Sequence, residues 1–272
     1  MSEASVEPVL QELLAEVHSR HAEFALFCDL DGTLAPIVER PELVEIPAAT
    51  CSALAAAAKN LGLCAVVTGR PALEAQRLVG LDTISYAGNH GLEVLHTGSD
   101  QVQLHPRLAG REGDALEFLD SLEPEELEDL DVRIERKGAI VALHWRGTRK
   151  GDQVEDLIER ISDSAKAGGL EPRRGRMVLE LRPDVAIDKG VAVTELLEAA
   201  PEIDSAIFVG DDLTDLDAFA ALDRLVSSGR LVSASKVAVV SSETSDLDLE
   251  ENADICLKNS AEVADLIRGI GG

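Results

Sequence analysis

The run Phe24-Ala25-Leu26-Phe27-Cys28, ended by Asp29-Leu30-Asp31-Gly32-Thr33, constrains this chain more than any other stretch. The apolar run is too short for a helix and rich in Phe. It reads as a strand buried on both faces, the kind that fills the middle of a parallel sheet. Two carboxylates two residues apart on an extended backbone point to one side. As like charges they require a cation if both are to ionise. An acidic pair at the carboxyl end of a buried strand stands where open α/β sheets bind ligands. The reading is a Mg²⁺ site with a carboxylate nucleophile. The plain alternative is a polar loop whose Asp caps the following turn.

The rest of the chain repeats the strand-then-helix pattern. Helical spacing over residues 6–20 precedes the first strand, and an Ala-rich helix over 48–59 follows it. Leu63 to Val67 is a second buried strand, ended by Thr68-Gly69-Arg70-Pro71. Proline suits a first helical turn, so a helix is expected over 71–79. The Thr68 hydroxyl and nearby N–H groups could bind a phosphoryl oxygen, or Thr68 could be an ordinary N-cap. A third strand is expected over 83–87, then the tight turn Gly88-Asn89-His90-Gly91 and a hairpin of 92–95 with 102–104. His18, His21, His96 and His105 read as surface residues.

The character changes near Pro106. A helix is expected over 107–122, a hairpin of 132–135 with 140–145 turning at Arg136-Lys137-Gly138, and an amphipathic helix over 150–166. A strand over 177–181 follows Arg173-Arg174-Gly175-Arg176. This α/β section, 107–184, reads as a small inserted domain, with 1–106 and 185–272 forming the other. The sheet pattern then returns: Asp188-Lys189-Gly190 opens a helix. Ala206 to Val209 is a buried strand ended by Gly210-Asp211-Asp212-Leu213-Thr214-Asp215, with a helix to Leu222. Short strands over 237–240 and 254–257 and a helix over 262–270 complete the chain.

Four polar clusters therefore fall at strand ends or helix starts: Asp29/Asp31, Thr68, Lys189 and Asp211/Asp212/Asp215. In a parallel sheet they can converge on one edge. The carboxylates are hard oxygen ligands suited to Mg²⁺. Lys189 adds a cation for phosphate oxygens or for the nucleophile. Together these groups describe phosphoryl transfer, where positioning and charge neutralisation do most of the catalysis. One Asp can form an aspartyl-phosphate while the second protonates the leaving oxygen and then activates water.

The order Asp29-Leu30-Asp31-Gly32-Thr33, Thr68, Lys189, Gly210-Asp211-Asp212 resembles the haloacid dehalogenase superfamily of Mg²⁺-dependent phosphatases. That resemblance implies an α/β fold with a Rossmann-like core, a parallel sheet and an inserted α/β cap over the substrate. It implies Asp29 as nucleophile, Asp31 as general acid and base, and Thr68 and Lys189 holding the phosphoryl group. Asp29, the Asp31 backbone carbonyl and Asp211 are the implied Mg²⁺ ligands, with Asp212 or Asp215 in support. Further segments are similar to trehalose-6-phosphate phosphatases: Val67-Thr68-Gly69-Arg70, Gly88-Asn89-His90-Gly91-Leu92-Glu93, Ile134-Glu135-Arg136-Lys137, Leu143-His144-Trp145-Arg146 and Glu180-Leu181-Arg182-Pro183. This implies trehalose 6-phosphate as the small-molecule substrate. Gly69, Arg70, Asn89 and His90, with Glu135, Lys137, His144, Arg146, Arg176 and Glu180 of the cap, become the binding candidates. The chain departs from the family at Arg176, where Lys is usual, at Leu216, where Glu is common, and at Trp145, where Tyr is frequent. The Leu216 change removes a carboxylate from the Asp-rich motif. Trp145 reads as cap packing rather than as a sugar platform.

Charge narrows the remaining choices. With 51 acidic and 25 basic residues the net charge is −26, which repels nucleic acid and anionic membranes and favours solubility. Thirteen of the 25 basic residues lie between Arg133 and Lys189, so that section can face an anion. Cys28, Cys51, Cys64 and Cys256 are scattered and read as small buried apolar residues. Neither a signal peptide nor a membrane-spanning run is found, and a cytoplasmic monomer is expected. Three alternatives stay open: a phospho-accepting receiver module, an inactive ligand-binding relative, and a phosphatase for another sugar phosphate such as sucrose 6-phosphate or mannosyl-phosphoglycerate.

Overall fold

The computed structural model describes residues 3–38, 43–148, 150–175, 177–240 and 247–272. They form two compact units, one of residues 1–103 and 187–272 and one of residues 104–186. None of the described helices is long and apolar enough to cross a membrane.

The first unit is built on a sheet of strands β1 (Phe24–Cys28), β2 (Leu63–Val67), β3 (Ser85–Gly88), β4 (Glu93–Leu95), β5 (Val102–Leu104), β10 (Ser205–Gly210), β11 (Ser233–Val239) and β12 (Ile255–Leu257). Their order is β12-β11-β10-β1-β2-β3-β4-β5. The strands from β12 to β3 run parallel, and β4 is antiparallel to β3. Every residue of β1 is buried, as a central strand covered on both faces requires. One face packs on α1 (Glu3–Ser19), α2 (Ala48–Asn60), α3 (Ala72–Val79) and α10 (Ser260–Gly271). The other packs on α7 (Lys189–Glu198) and α8 (Asp215–Ser227). Because β1 lies beside both β2 and β10, the chain reverses its winding there, and the carboxyl ends of these three strands share one edge. That edge is the topological switch point of a doubly wound sheet.

The second unit has an antiparallel sheet of β6 (Arg133–Lys137), β7 (Ile140–His144), β8 (Leu170–Gly175) and β9 (Val178–Pro183), in the order β6-β7-β9-β8. Its helices are α4 (Asp114–Asp120), α5 (Pro124–Asp129) and α6 (Gly151–Ala167). Val141, Leu143, Leu179 and Leu181 form the apolar sheet face under α4 and α6. Trp145 is buried in the same core, and its indole N–H donates to Glu155 at 2.9 Å.

Several expectations change. The helix expected over 107–122 is only Asp114–Asp120 plus a 3₁₀ turn at Pro106–Leu108. Gly110 breaks it, lying in the left-handed region at φ 78°. The hairpin β6–β7 turns at Gly138-Ala139, because Lys137 pairs with Ile140. Strand β8 contains Arg173 and Arg174, whose charges hid its period, and β11 begins at Ser233 well before its apolar residues. Met177, expected to open the strand over 177–181, is excluded from β9 by a left-handed φ of 61° and is exposed. His105 is buried, its Nδ1 accepting the Arg107 N–H at 3.0 Å. Cys51 and Cys256 are only half-buried. Arg176 and residues 241–246 lie outside the described residues.

Candidate active site

The backbone of Asp29 leaves β1 while its N–H still donates to Val209 of β10 at 2.8 Å, so the residue is fixed at the switch point. The chain then folds over itself: Gly32 N–H donates to Ala35 at 2.8 Å, and Ala35 N–H donates to Leu30 at 2.9 Å. Gly32 has φ 85°, and a Cβ there would lie 1.9 Å from Asp211 Oδ2. Only glycine lets the two acidic loops approach this closely. Thr33 completes the contact, its hydroxyl donating to Asp211 Oδ1 at 3.0 Å.

Three buried carboxylates, Asp29, Asp211 and Asp215, offer oxygens that all lie within 4.8 Å of one another. Lys189, at the first turn of α7 behind the Asp188 N-cap, sends its ammonium into this cluster. It is 2% exposed, with Nζ 2.7 Å from Asp215 Oδ1 and 3.1 Å from Asp29 Oδ2. Asp215 folds back from the start of α8, and its Oδ2 accepts the N–H groups of Asp211 and Asp212, both at 2.9 Å. Both Asp215 oxygens are thus engaged, which makes this residue the organiser of the loop. Asp212 stands apart. It is exposed, and its carboxylate accepts the Leu213 N–H at 2.6 Å, so Asp215, not Asp212, completes the cluster.

Burial pushes the Asp29 carboxyl well above the usual range, against the pull of Lys189; Asp215, Asp211 and Asp31 add to the rise. Burial, followed by Asp215, pushes Asp211 up to about 7, with the Thr33 hydrogen bond opposing. One ammonium among three carboxylates leaves the pocket short of positive charge. Asp29 and Asp211 fit as hard-oxygen ligands for a small divalent cation.

Asp31 is not in this cluster. Its carboxylate is gripped two-handedly by Arg70, with Nε–Oδ2 at 2.6 Å and Nη2–Oδ1 at 2.7 Å. Glu74, one turn into α3, holds the other side of the guanidinium. The expected acidic pair is therefore divided: Asp29 shares Lys189, and Asp31 has its own cation. Arg70, expected to bind substrate, is here the partner of Asp31. Thr68 is buried at the end of β2, and its hydroxyl accepts the Arg70 N–H at 3.2 Å. Gly69 lies under the His90 ring, and Asn89 is buried. Glu74 was not singled out from sequence, although its spacing of four from Arg70 on a helix start is a readable signal.

In the second unit, strand register sets Glu135, Lys137, His144 and Glu180 on the sheet face opposite the apolar one. Lys137 Nζ lies 3.0 Å from Glu180 Oε1 and 3.8 Å from Glu135 Oε2, and His144 Nε2 is 2.9 Å from Glu135. Arg146 is exposed in the turn after β7. Lys137 is thus a cation beside Glu180 among the described residues.

A doubly wound sheet carries a buried Asp-Lys-Asp cluster at its switch point, and a haloacid dehalogenase-like hydrolase from Bacteroides thetaiotaomicron shares the fold with TM-score 0.63 at 15% identity, covering 89% of this chain and 97% of that one. A family model described as trehalose-phosphatase matches residues 27–253. The chain belongs to the trehalose-phosphatase family. A Mycobacterium marinum trehalose-phosphate phosphatase is 31% identical over 89% of this chain and 60% of its own length. An uncharacterised glycosyl hydrolase of Mycobacterium tuberculosis is 36% identical over 73% of this chain and 15% of its own. The chain thus spans less than two thirds of either relative. A crystal structure of a trehalose-6-phosphate phosphatase related protein superposes with TM-score 0.72 at 28% identity, covering 91% of this chain and 96% of that one.

Proposed function

We propose that the chain hydrolyses trehalose 6-phosphate to trehalose and phosphate through an aspartyl-phosphate on Asp29. The observation that carries this reading is the Asp29 carboxylate, buried at the switch point with one oxygen on Lys189 and with Asp211 beside it. An Asp29 oxygen attacks phosphorus, and the bond from phosphorus to the sugar oxygen breaks. The Asp31 carboxyl gives its proton to that oxygen. Asp31 then takes a proton from water as water attacks the aspartyl-phosphate, which returns the Asp29 carboxylate and frees phosphate. Asp29 and Asp211 would hold Mg²⁺, which would supply neutralising charge to the phosphoryl oxygens. Lys189 and the Thr68 hydroxyl orient those oxygens, and Arg70 orients Asp31.

Residues 104–186 are the cap in this reading. Family membership supports the sugar assignment, as does the polar sheet face of Glu135, Lys137, His144 and Glu180, which offers acceptors and donors for hydroxyl groups. Phosphate release measured across a panel of sugar phosphates tests the proposal. Trehalose 6-phosphate should be turned over fastest, and only with Mg²⁺. A clear preference for another sugar phosphate refutes the substrate assignment, and release of phosphate only once per molecule refutes the enzyme.

A further inference from the structure

The turn after β3 is fitted against the Thr68-Gly69-Arg70 turn by contacts that the proposed chemistry leaves unused. Asn89, His90 and Gly91 have φ of 50°, 57° and 97°. Two successive non-glycine residues keep left-handed backbone only when their surroundings enforce it. Here the Asn89 N–H donates to the Arg70 carbonyl and the His90 N–H to the Thr68 carbonyl, each at 2.9 Å. The approach is close on both sides: a Cβ on Gly88 would lie 2.3 Å from the Ala72 backbone nitrogen, and one on Gly69 would lie 2.8 Å from the His90 ring.

Glu93 closes this assembly from below. It opens β4 directly opposite Gly88 and is 8% exposed. Its Oε1 accepts the Ala72 N–H at 2.7 Å, and its carboxylate also takes a hydrogen bond from the Asn89 side chain. One buried carboxylate thus joins the positive end of α3 to the left-handed turn, with the Thr68-Gly69-Arg70 turn held between them. A buried carboxylate is retained at such a point only if its donors are in place.

We propose that Glu93 is a positioning residue, which through Ala72 and Asn89 fixes the Thr68-Gly69-Arg70 turn so that the Thr68 hydroxyl and the Arg70–Asp31 pair stay in register with Asp29. The inference rests on the reading of that turn as part of the phosphoryl site. Its signature is separable from metal binding, because Asp29 and Asp211 are held by β10, Thr33 and Lys189, whereas Glu93 accepts hydrogen bonds from Ala72 and Asn89.

The test uses the full chain with Glu93→Ala, Glu93→Gln and Asn89→Gly. Orthophosphate affinity is measured at saturating Mg²⁺, Mg²⁺ affinity is measured without phosphate, and kcat and KM are taken on sugar phosphate. Losing a hydrogen bond to a charged acceptor should weaken orthophosphate binding about tenfold or more in Glu93→Ala. Mg²⁺ affinity should stay within about twofold, on the same ground that the metal ligands are held elsewhere. Glu93→Gln still accepts from Ala72 and should recover most of the loss. Asn89→Gly tolerates the left-handed turn but drops the side-chain link, and should weaken orthophosphate without changing Mg²⁺. The proposal is overturned if Glu93→Ala binds orthophosphate like the wild type, or if both ligands weaken in step with a lower melting temperature. It is also overturned if the wild type binds no orthophosphate. Should neither Glu93 variant fold, unchanged orthophosphate affinity in Asn89→Gly overturns it. Wild-type protein that turns over no sugar phosphate, yet shows the orthophosphate pattern above, leaves the positioning role standing and removes the proposed function instead.

Discussion

Replacing Lys189 by Met keeps most of the length of the side chain and removes its charge together with its N–H donors. The ammonium is 2.7 Å from Asp215 and 3.1 Å from Asp29 and is almost fully buried. Without it, Asp29, Asp211 and Asp215 form a buried group of acids with no cation. Breaking a buried pair from one side costs about 3–5 kcal/mol. Protonation sets a similar ceiling: holding an ordinary carboxyl protonated about three units above its pKa costs about 4 kcal/mol. For a chain of this size that loss corresponds to a fall in melting temperature of roughly 6–20 °C. The sign of the pH dependence follows. In Lys189→Met the folded Asp29 and Asp211 carboxyls, already raised by burial and their acidic neighbours, titrate above their unfolded values, so the folded state binds more protons. The deficit is therefore full at pH 8 and shrinks as pH falls toward 5. Added Mg²⁺ should recover part of the loss at pH 8, since it replaces the missing charge. Thermal unfolding followed by circular dichroism at pH 5 and pH 8, with and without Mg²⁺, measures all three effects. A variant that melts within about 2 °C of wild type at pH 8 refutes the charge argument, being less than a 1 kcal/mol change.

Asp29→Asn should abolish Mg²⁺-dependent phosphate release, because an amide is a poor nucleophile and a poor ligand; turnover at the wild-type rate by pure variant protein would remove the mechanism. Mg²⁺ binding should expel protons, since Asp211 rests near pH 7 before metal arrives. Below that pH the metal displaces the proton and above it there is less to displace, so the protons released per metal should fall between pH 6 and pH 8; calorimetry in buffers of different ionisation enthalpy would show a flat profile if the reading is wrong. Glu180→Ala should lower kcat/KM for trehalose 6-phosphate by about ten- to a hundredfold while affecting p-nitrophenyl phosphate far less. Equal losses on both substrates, or a lower melting temperature, would mean that Glu180 serves only to hold Lys137.

Local chemistry made much of the core readable. The β1 run and its acidic end are contiguous, and a continuous apolar strand of that length has few other homes. Lys189 follows its own N-cap, so its place at a helix start was also legible. Pairings across long stretches were not. Nothing in the order of residues says that Arg70 reaches back to Asp31, because both are plausible ligands for a substrate and their contact depends on how β2 lies beside β1. Asp211, Asp212 and Asp215 look alike in sequence. Only the first turn of α8 decides that Asp215 folds inward under two N–H groups while Asp212 faces solvent. Charge misled the reading of β8, since Arg173 and Arg174 belong to a strand whose neighbour β9 supplies the apolar residues. In the 107–122 region, good helix formers outvoted Gly110, but a single left-handed glycine was enough to end the helix.

The place of β1 between β2 and β10 has a consequence for how the protein is made. A ribosome delivers β1 and β2 before residues 104–186, but β10 is the other neighbour of β1 and emerges only after that unit has been synthesised. Until then β1 keeps one bare edge, and the pocket lacks Lys189, Asp211 and Asp215. The intervening unit has its own core and contiguous sequence, so it can fold while the older segment waits. Asp29, the proposed nucleophile, is thus made before Lys189, Asp211 and Asp215 and enters its site only when they arrive. A nascent chain stalled short of β10 carries Asp29 without Asp211 and Asp215, together with an open strand edge of the kind that pairs with other chains.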